Sequence, residues 1–155
     1  MTSQHGAHVQ WSRGDAAFTD NQYSRAHRWS FDGGAVVPAS SSPHSVRVPL
    51  SDASAVDPEE AFVASLSSCH MLWFLAIAAK RGFVVDSYDD EAVGTLERNA
   101  DGRLAMTHVV LRPRIVWMGE APDPAAVEDM HEAAHHECYL ANSVTTVVTV
   151  GLADT

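Results

Sequence analysis

The sequence predicts an α+β domain, with antiparallel sheets packed around a long buried central helix. Three observations carry that reading. Asp57-Pro58-Glu59-Glu60 opens a long apolar run that closes at Lys80-Arg81-Gly82. Two strand-like segments flank the turn Asn99-Ala100-Asp101-Gly102. Asp123-Pro124 repeats the helix-start signal ahead of a polar, His-rich stretch. The order of strands, helix, hairpin, helix and strand is an α+β plan.

The elements follow in turn. Residues 1–50 read as strands and turns. Val9 and Trp11 alternate with polar neighbours, Ala26 to Phe31 form a second strand, and Asp32-Gly33-Gly34 is a turn signal. Pro38 to Pro43 reads as a serine-rich loop. Ser45 to Leu50 reads as a short strand that Pro49 confines to an edge. Asp57 is an N-cap with Pro58 at the first helical position. Glu60 completes a capping box, which predicts a helix over 58–81. Ser87 to Arg98 and Leu104 to Met118 form the hairpin strands, the second bent at Pro113. A second helix is expected over 124–137, and Val144 to Val150 is a β-branched closing strand. Residues 1–155 read as a single domain.

Composition excludes several functions. The net charge of −10, with 10 Lys and Arg against 20 Asp and Glu, leaves no basic cluster for nucleic acid. Ala61 to Ala79 is nearly long enough to span a membrane. Ser65, Ser67, Ser68 and His70 within it favour a core helix buried on most faces. The start of the chain lacks a basic segment followed by an apolar one. A cytoplasmic, reducing location is therefore expected, and there a permanent disulfide is uncommon.

The chain has two cysteines. Cys69 lies inside the apolar run and is expected to be buried. Cys138 ends the His-rich stretch and is expected at a rim. Three chemistries compete for them and their neighbours. His131-Glu132-Ala133-Ala134-His135 matches H-E-x-x-H, whose spacing puts two imidazoles on one helix face as zinc ligands with Glu132 as base. No His follows Cys138 as a third ligand, and Asp154 lies in the tail. A mixed metal site from Cys69, His70, His135 and Cys138 has suitable donors but no recognised spacing. The third chemistry is a dithiol redox couple. A buried mid-helix thiol is inert unless a cation is brought to it, and Arg25, Arg28 and Arg47 are candidates. Such an arginine needs a carboxylate partner, which Glu59 or Glu60 can supply.

Asp57-Pro58-Glu59-Glu60 ahead of a helical cysteine, then a His-rich helix ending in a second cysteine before Asn142-Ser143-Val144, resembles the OsmC/Ohr family of osmotically inducible and organic hydroperoxide resistance proteins. The resemblance covers nearly the whole chain. It implies an OsmC-like fold assembled as an intertwined homodimer, with no cofactor. It also implies a thiol-dependent peroxidase that reduces organic hydroperoxides in antioxidant defence. Cys69 would be the peroxidatic thiol and Cys138 the resolving one, with an external dithiol, of dihydrolipoyl type for example, as reductant. Glu59 would orient the catalytic arginine. Arg25, within Tyr23-Ser24-Arg25-Ala26-His27, is the better match for it and Arg47 the second. Two positions depart from the best-known branches. Tyr139 stands where proline follows the second cysteine, and His70 where an aromatic often follows the first.

Geometry adds a condition. Ten residues of helix between Glu59 and Cys69 span about 15 Å, too far to share one arginine. Either the helix breaks between them, or Glu59 and the arginine of one chain serve Cys69 of the other; the second is favoured. Phe62, Leu66, Met71, Trp73 and Phe74 are the candidate substrate-lining residues, each also a ready core residue. His70 is expected to be a core histidine, and His135 and His136 to lie on an exposed face. Rival functions are a zinc-dependent hydrolase at His131, Glu132 and His135, and a non-catalytic protein that holds an apolar ligand.

Overall fold

The structure is a computed structural model that describes residues 2–151. Asp154 lies outside the described residues. The chain forms two compact units, one up to Ala61 and one from Phe62.

The N-terminal unit carries a three-stranded antiparallel sheet in the order β1 (His8–Gln10), β2 (His27–Ser30), β3 (Val36–Ala39). The β2–β3 hairpin closes where the Phe31 N–H donates to the Ala35 carbonyl at 3.0 Å. Gly34 there takes φ 87°, a conformation glycine adopts without steric cost. Pro38 lies in β3 opposite Arg28, not in the expected loop. The strand expected at Ser45 to Leu50 is replaced by tight turns. The Val46 N–H bonds the Ser42 carbonyl and the Leu50 N–H the Arg47 carbonyl, both at 3.0 Å. Local bonds of this kind take up the donors that a sheet edge would need.

Helix α1 runs unbroken over Pro58–Lys80. Its start is the capping box read from the sequence. The Glu60 N–H donates to Asp57 Oδ1 at 2.8 Å, and the Asp57 N–H to Glu60 Oε2 at 3.1 Å. Its end follows the Gly82 signal: Gly82 takes φ 84°, and the Phe83 N–H bonds back to the Ala78 carbonyl. Helix α2 spans Pro124–Glu137, capped by Asp123, whose Oδ1 accepts from the Ala126 N–H at 2.8 Å.

Five strands complete the C-terminal unit. β4 (Val84–Asp90) pairs antiparallel with β7 (Pro113–Met118), and β5 (Val93–Arg98) antiparallel with β6 (Leu104–Leu111). β8 (Val147–Val150) joins β6 in parallel, where an all-antiparallel arrangement was expected. Each expected long hairpin strand is two strands, broken at Glu91-Ala92 and at Arg112. The two breaks are tied together, because the Arg112 N–H donates to Asp90 Oδ1 at 2.6 Å. Between them the chain changes partner, from one sheet to the other.

Two buried clusters hold this unit together. Phe74 and Ala78 of α1 meet Met130 and Ala134 of α2, with Trp73, Ile77, Phe83, Tyr88 and Trp117 around them. Leu66 of α1 meets Val109 and Leu111 of β6, with Phe62, Val63, Val148 and Val150 around them. Each large side chain so buried contributes roughly 1.5–3 kcal/mol. The buried residues of α1, Leu66, His70, Phe74 and Ala78, recur every four positions and form one face. The opposite face, Ser65, Ser68, Leu72, Ala76 and Ala79, is exposed, and Leu72 is 61% accessible. Within one chain the helix is thus buried on one face, not on most of them.

Candidate functional site

The packing of α1 on α2 sets Cys138 near enough to Cys69 for one thiol to act on the other. Cys138 caps the C-terminus of α2 and continues the inward row of His131 and Ala134. It is 1% accessible, whereas Cys69 is only partly buried. The burial expected for the two thiols is therefore reversed. Cys69 lies one step aside from the buried Leu66–His70–Phe74 row, and Cys138 lies within the buried row of its own helix. Both thiols are free.

Burial pushes the Cys138 thiol above its ordinary pKa, and the adjoining Cys69 thiol pushes it further. The Ala141 N–H, 3.4 Å from Cys138 Sγ, acts in the opposite sense. Cys138 is thus held as a protonated thiol at neutral pH, while Cys69 is the sulfur that solvent can reach. Beside them Tyr139, 69% accessible, stands edge-on to Trp73 with ring centroids 5.5 Å apart.

A second polar pair lies alongside. His70 Nε2 and His131 Nδ1 are 3.0 Å apart, and their rings stack with centroids separated by 5.3 Å. His131 also stacks on Phe74 at 4.3 Å. Burial lowers the pKa of both rings to about 4. His135 lowers His70 further, and Asp90 opposes that. His70 Nδ1 is buried without a hydrogen-bond partner among the described residues. The pair escaped the sequence reading, although each histidine recurs at helical spacing with apolar neighbours, His70 with Leu66 and Phe74, and His131 with Val127 and Ala134. Asp90 also accepts a hydrogen bond from the Ser67 hydroxyl, which anchors α1 to the end of β4.

This arrangement redistributes the H-E-x-x-H residues. His131 turns inward to His70, whereas Glu132 and His135 are exposed. Among the described residues no three His, Cys, Asp or Glu side chains gather as a metal-ligand set. His136 is exposed as expected. Of the candidate lining residues, Leu66 and Phe74 are closed inside the two core clusters, and Phe62, Met71 and Trp73 are half-buried.

The remaining candidates belong to the N-terminal unit. Glu59 sits in the first turn of α1. The Arg25 guanidinium is held by neutral groups. It donates to Asn21 Oδ1 at 2.6 Å and to the carbonyls of Asn21 and Tyr23, and it lies 3.9 Å from the centre of the Tyr23 ring. It has no carboxylate partner among the described residues. Arg28 bonds Gln10 Oε1 at 3.0 Å, and Arg28 and Arg47 are both exposed.

Residues 51–153 match the family model described as OsmC-like protein, a span that contains α1, both thiols and all five C-terminal strands. The chain belongs to the OsmC family. A solved OsmC-like protein of unknown function from Vibrio cholerae is 56% identical over 97% of this chain and 99% of its own, with a TM-score of 0.95. An organic hydroperoxide resistance protein OsmC from Legionella pneumophila shares the OsmC fold at 15% identity, over 98% of this chain and 96% of its own, with a TM-score of 0.69. The organic hydroperoxide resistance protein OhrB of Bacillus subtilis does so at 16% identity, over 97% and 98%, with a TM-score of 0.64. No relative was found among curated proteins.

Proposed function

We propose that this OsmC-family chain is a thiol-dependent peroxidase that reduces organic hydroperoxides to alcohols. The observation that carries the reading is the placement of Cys138 against Cys69, one thiol closed off and the other open to solvent. The Cys69 thiolate attacks the terminal oxygen of ROOH. The O–O bond breaks, RO⁻ leaves and takes a proton, and Cys69 becomes a sulfenic acid. Cys138 then attacks that sulfur, an S–S bond forms, and water leaves with the Cys138 proton. An external dithiol, of the dihydrolipoyl type for example, reduces the bridge by exchange. The raised pKa of Cys138 suits a resolving thiol, since it leaves Cys69 as the sulfur that meets peroxide first. The same cycle in the cell is antioxidant defence in the cytoplasm.

In this reading the working unit is a homodimer of single-domain protomers. Because α1 is unbroken from Pro58 to Lys80, Glu59 stands roughly 15 Å along the axis from Cys69. Glu59 and Arg25 of one copy therefore serve Cys69 of the other, once the Arg25 guanidinium exchanges its Asn21 and Tyr23 partners for the Glu59 carboxylate. The arginine stabilises the thiolate and the charge that develops on the leaving oxygen. The exposed stripe Ser65, Ser68, Leu72, Ala76 and Ala79 supports a second copy, because its small residues let a helix approach closely. Phe62 and Trp73, which keep some surface, line the approach to Cys69 and favour apolar hydroperoxides.

Hydroperoxide consumption with a dithiol reductant tests the reading. Cys69→Ser should abolish turnover. Cys138→Ser should still consume one equivalent of hydroperoxide without forming the bridge. Full turnover in Cys69→Ser overturns the assignment.

A further inference from the structure

Between α1 and α2 the packing is apolar at Phe74, Ala78, Met130 and Ala134, and polar at one buried place, where His70 meets His131; the Arg81–Asp129 ion pair, 2.6 Å long, lies in solvent just past the end of α1, where such a pair constrains little. We propose that the His70–His131 hydrogen bond is a positioning device that fixes the register of α2 on α1 and so holds Cys138 against Cys69. It deepens, and rests on, the dithiol reading above.

The chain places the two pairs in step. Cys69 immediately precedes His70, and Cys138 follows His131 by two helical turns on the same inward face. Apolar contacts are non-directional, so Phe74, Ala78, Met130 and Ala134 alone tolerate a slide or a twist of one helix on the other. A slip of one turn moves a side chain by about 5.4 Å, and of one residue by about 1.5 Å with a rotation of about 100°. A disulfide needs Cβ atoms about 3.5–4.5 Å apart, so either slip takes the sulfurs out of bonding range. A hydrogen bond of 3.0 Å between buried rings survives neither slip.

As a source of stability the pair is a poor choice. It removes two imidazoles from water for one hydrogen bond and leaves His70 Nδ1 without a partner among the described residues. Well-packed apolar residues would serve at least as well in a core. What the histidines add is direction. His70 is the better donor, because protonation at Nε2 leaves its orphaned Nδ1 as an acceptor, the less costly state for a buried atom.

The test is equilibration of the whole protein with oxidised and reduced dithiothreitol. The two cysteine thiols give two protons and two electrons to the oxidised reagent. Its S–S bond breaks as the Cys69–Cys138 bond forms. The double variant His70→Leu/His131→Leu leaves no orphaned nitrogen. It should unfold no more easily than wild type, yet lose about tenfold or more in the equilibrium constant for the bridge, a rise of ~30 mV in potential. The double variant His70→Gln/His131→Asn keeps a donor at the first position and an acceptor at the second, and should restore the wild-type value. A leucine pair that folds and keeps the wild-type potential overturns the proposal. So does a Gln/Asn pair that folds yet loses about tenfold or more in that constant, a result that can be read whether or not the leucine pair folds. Wild type that forms no Cys69–Cys138 bridge at any ratio instead overturns the dithiol reading itself.

Discussion

His70 and His131, 61 positions apart in the chain, meet through one 3.0 Å hydrogen bond in the core between the two helices. Cys69 adjoins His70 in sequence, and Cys138 caps α2 two helical turns after His131. The chemistry proposed for this protein therefore stands next to two groups that resist protonation.

That resistance fixes a pH dependence of stability. Burial lowers both rings to about 4, below the ordinary 6.5 of the unfolded chain. Between those values the unfolded state binds more protons, so stability rises with pH across the window. The contribution is complete above pH 6.5 and is lost as pH falls toward 4. For one ring it amounts to roughly 3 kcal/mol, and the two do not add in full because they share a contact. Urea midpoints at pH 7 and pH 5 should differ accordingly, and His70→Leu/His131→Leu should remove most of the difference. An unchanged slope in that variant contradicts the account.

Asp90 links three elements, through the Ser67 hydroxyl of α1, its own strand β4 and the Arg112 N–H between β6 and β7. Removal of the carboxylate in Asp90→Ala strands those donors. Hydrogen bonds to a charged group contribute roughly 1.5–3 kcal/mol. A loss of about 2–3 kcal/mol in denaturant unfolding is expected, and a change under about 0.5 kcal/mol would contradict the assigned role.

Gly94 of β5 is a matter of space, not of backbone conformation. A Cβ built there runs into the Met106 and Val63 side chains. Gly94→Val gains β-propensity, a term spanning about 1 kcal/mol at most. It also overpacks the sheet–helix contact at a cost of about 1–3 kcal/mol, which wins. Thermal unfolding should show a net loss, and a stabilised variant would show that the site relaxes freely.

The exposed face of α1 gives a test of assembly. Leu72 is 61% accessible and contacts neither core cluster. Leu72→Lys should leave the fold of the single chain intact while it weakens the proposed dimer. Sedimentation should show a lighter species, with turnover falling in parallel. A Leu72→Lys dimer as tight as wild type places the interface elsewhere.

The helices were legible to within a residue because their ends are local chemistry. Asp57, Glu60, Asp123 and Gly82 each act within a turn of their own position. The strand breaks were not legible, since the Asp90 bond to the Arg112 N–H spans 22 positions. Nor was the parallel pairing of β8 with β6, which the β-branched pattern of Val147 to Val150 does not encode. The two cysteines stood out by rarity, but their burial depends on helix phase. A shift of one position beside His70 opens Cys69, and alignment with His131 and Ala134 closes off Cys138.

The most direct measurement is peptide mapping after one equivalent of an organic hydroperoxide is added to the reduced protein. The account predicts a Cys69–Cys138 cross-linked peptide in wild type. In Cys138→Ser it predicts a sulfenic acid confined to Cys69, trapped by a cyclic diketone. Hydroperoxide consumed while Cys69 remains an unmodified thiol, or no consumption at all, would contradict it.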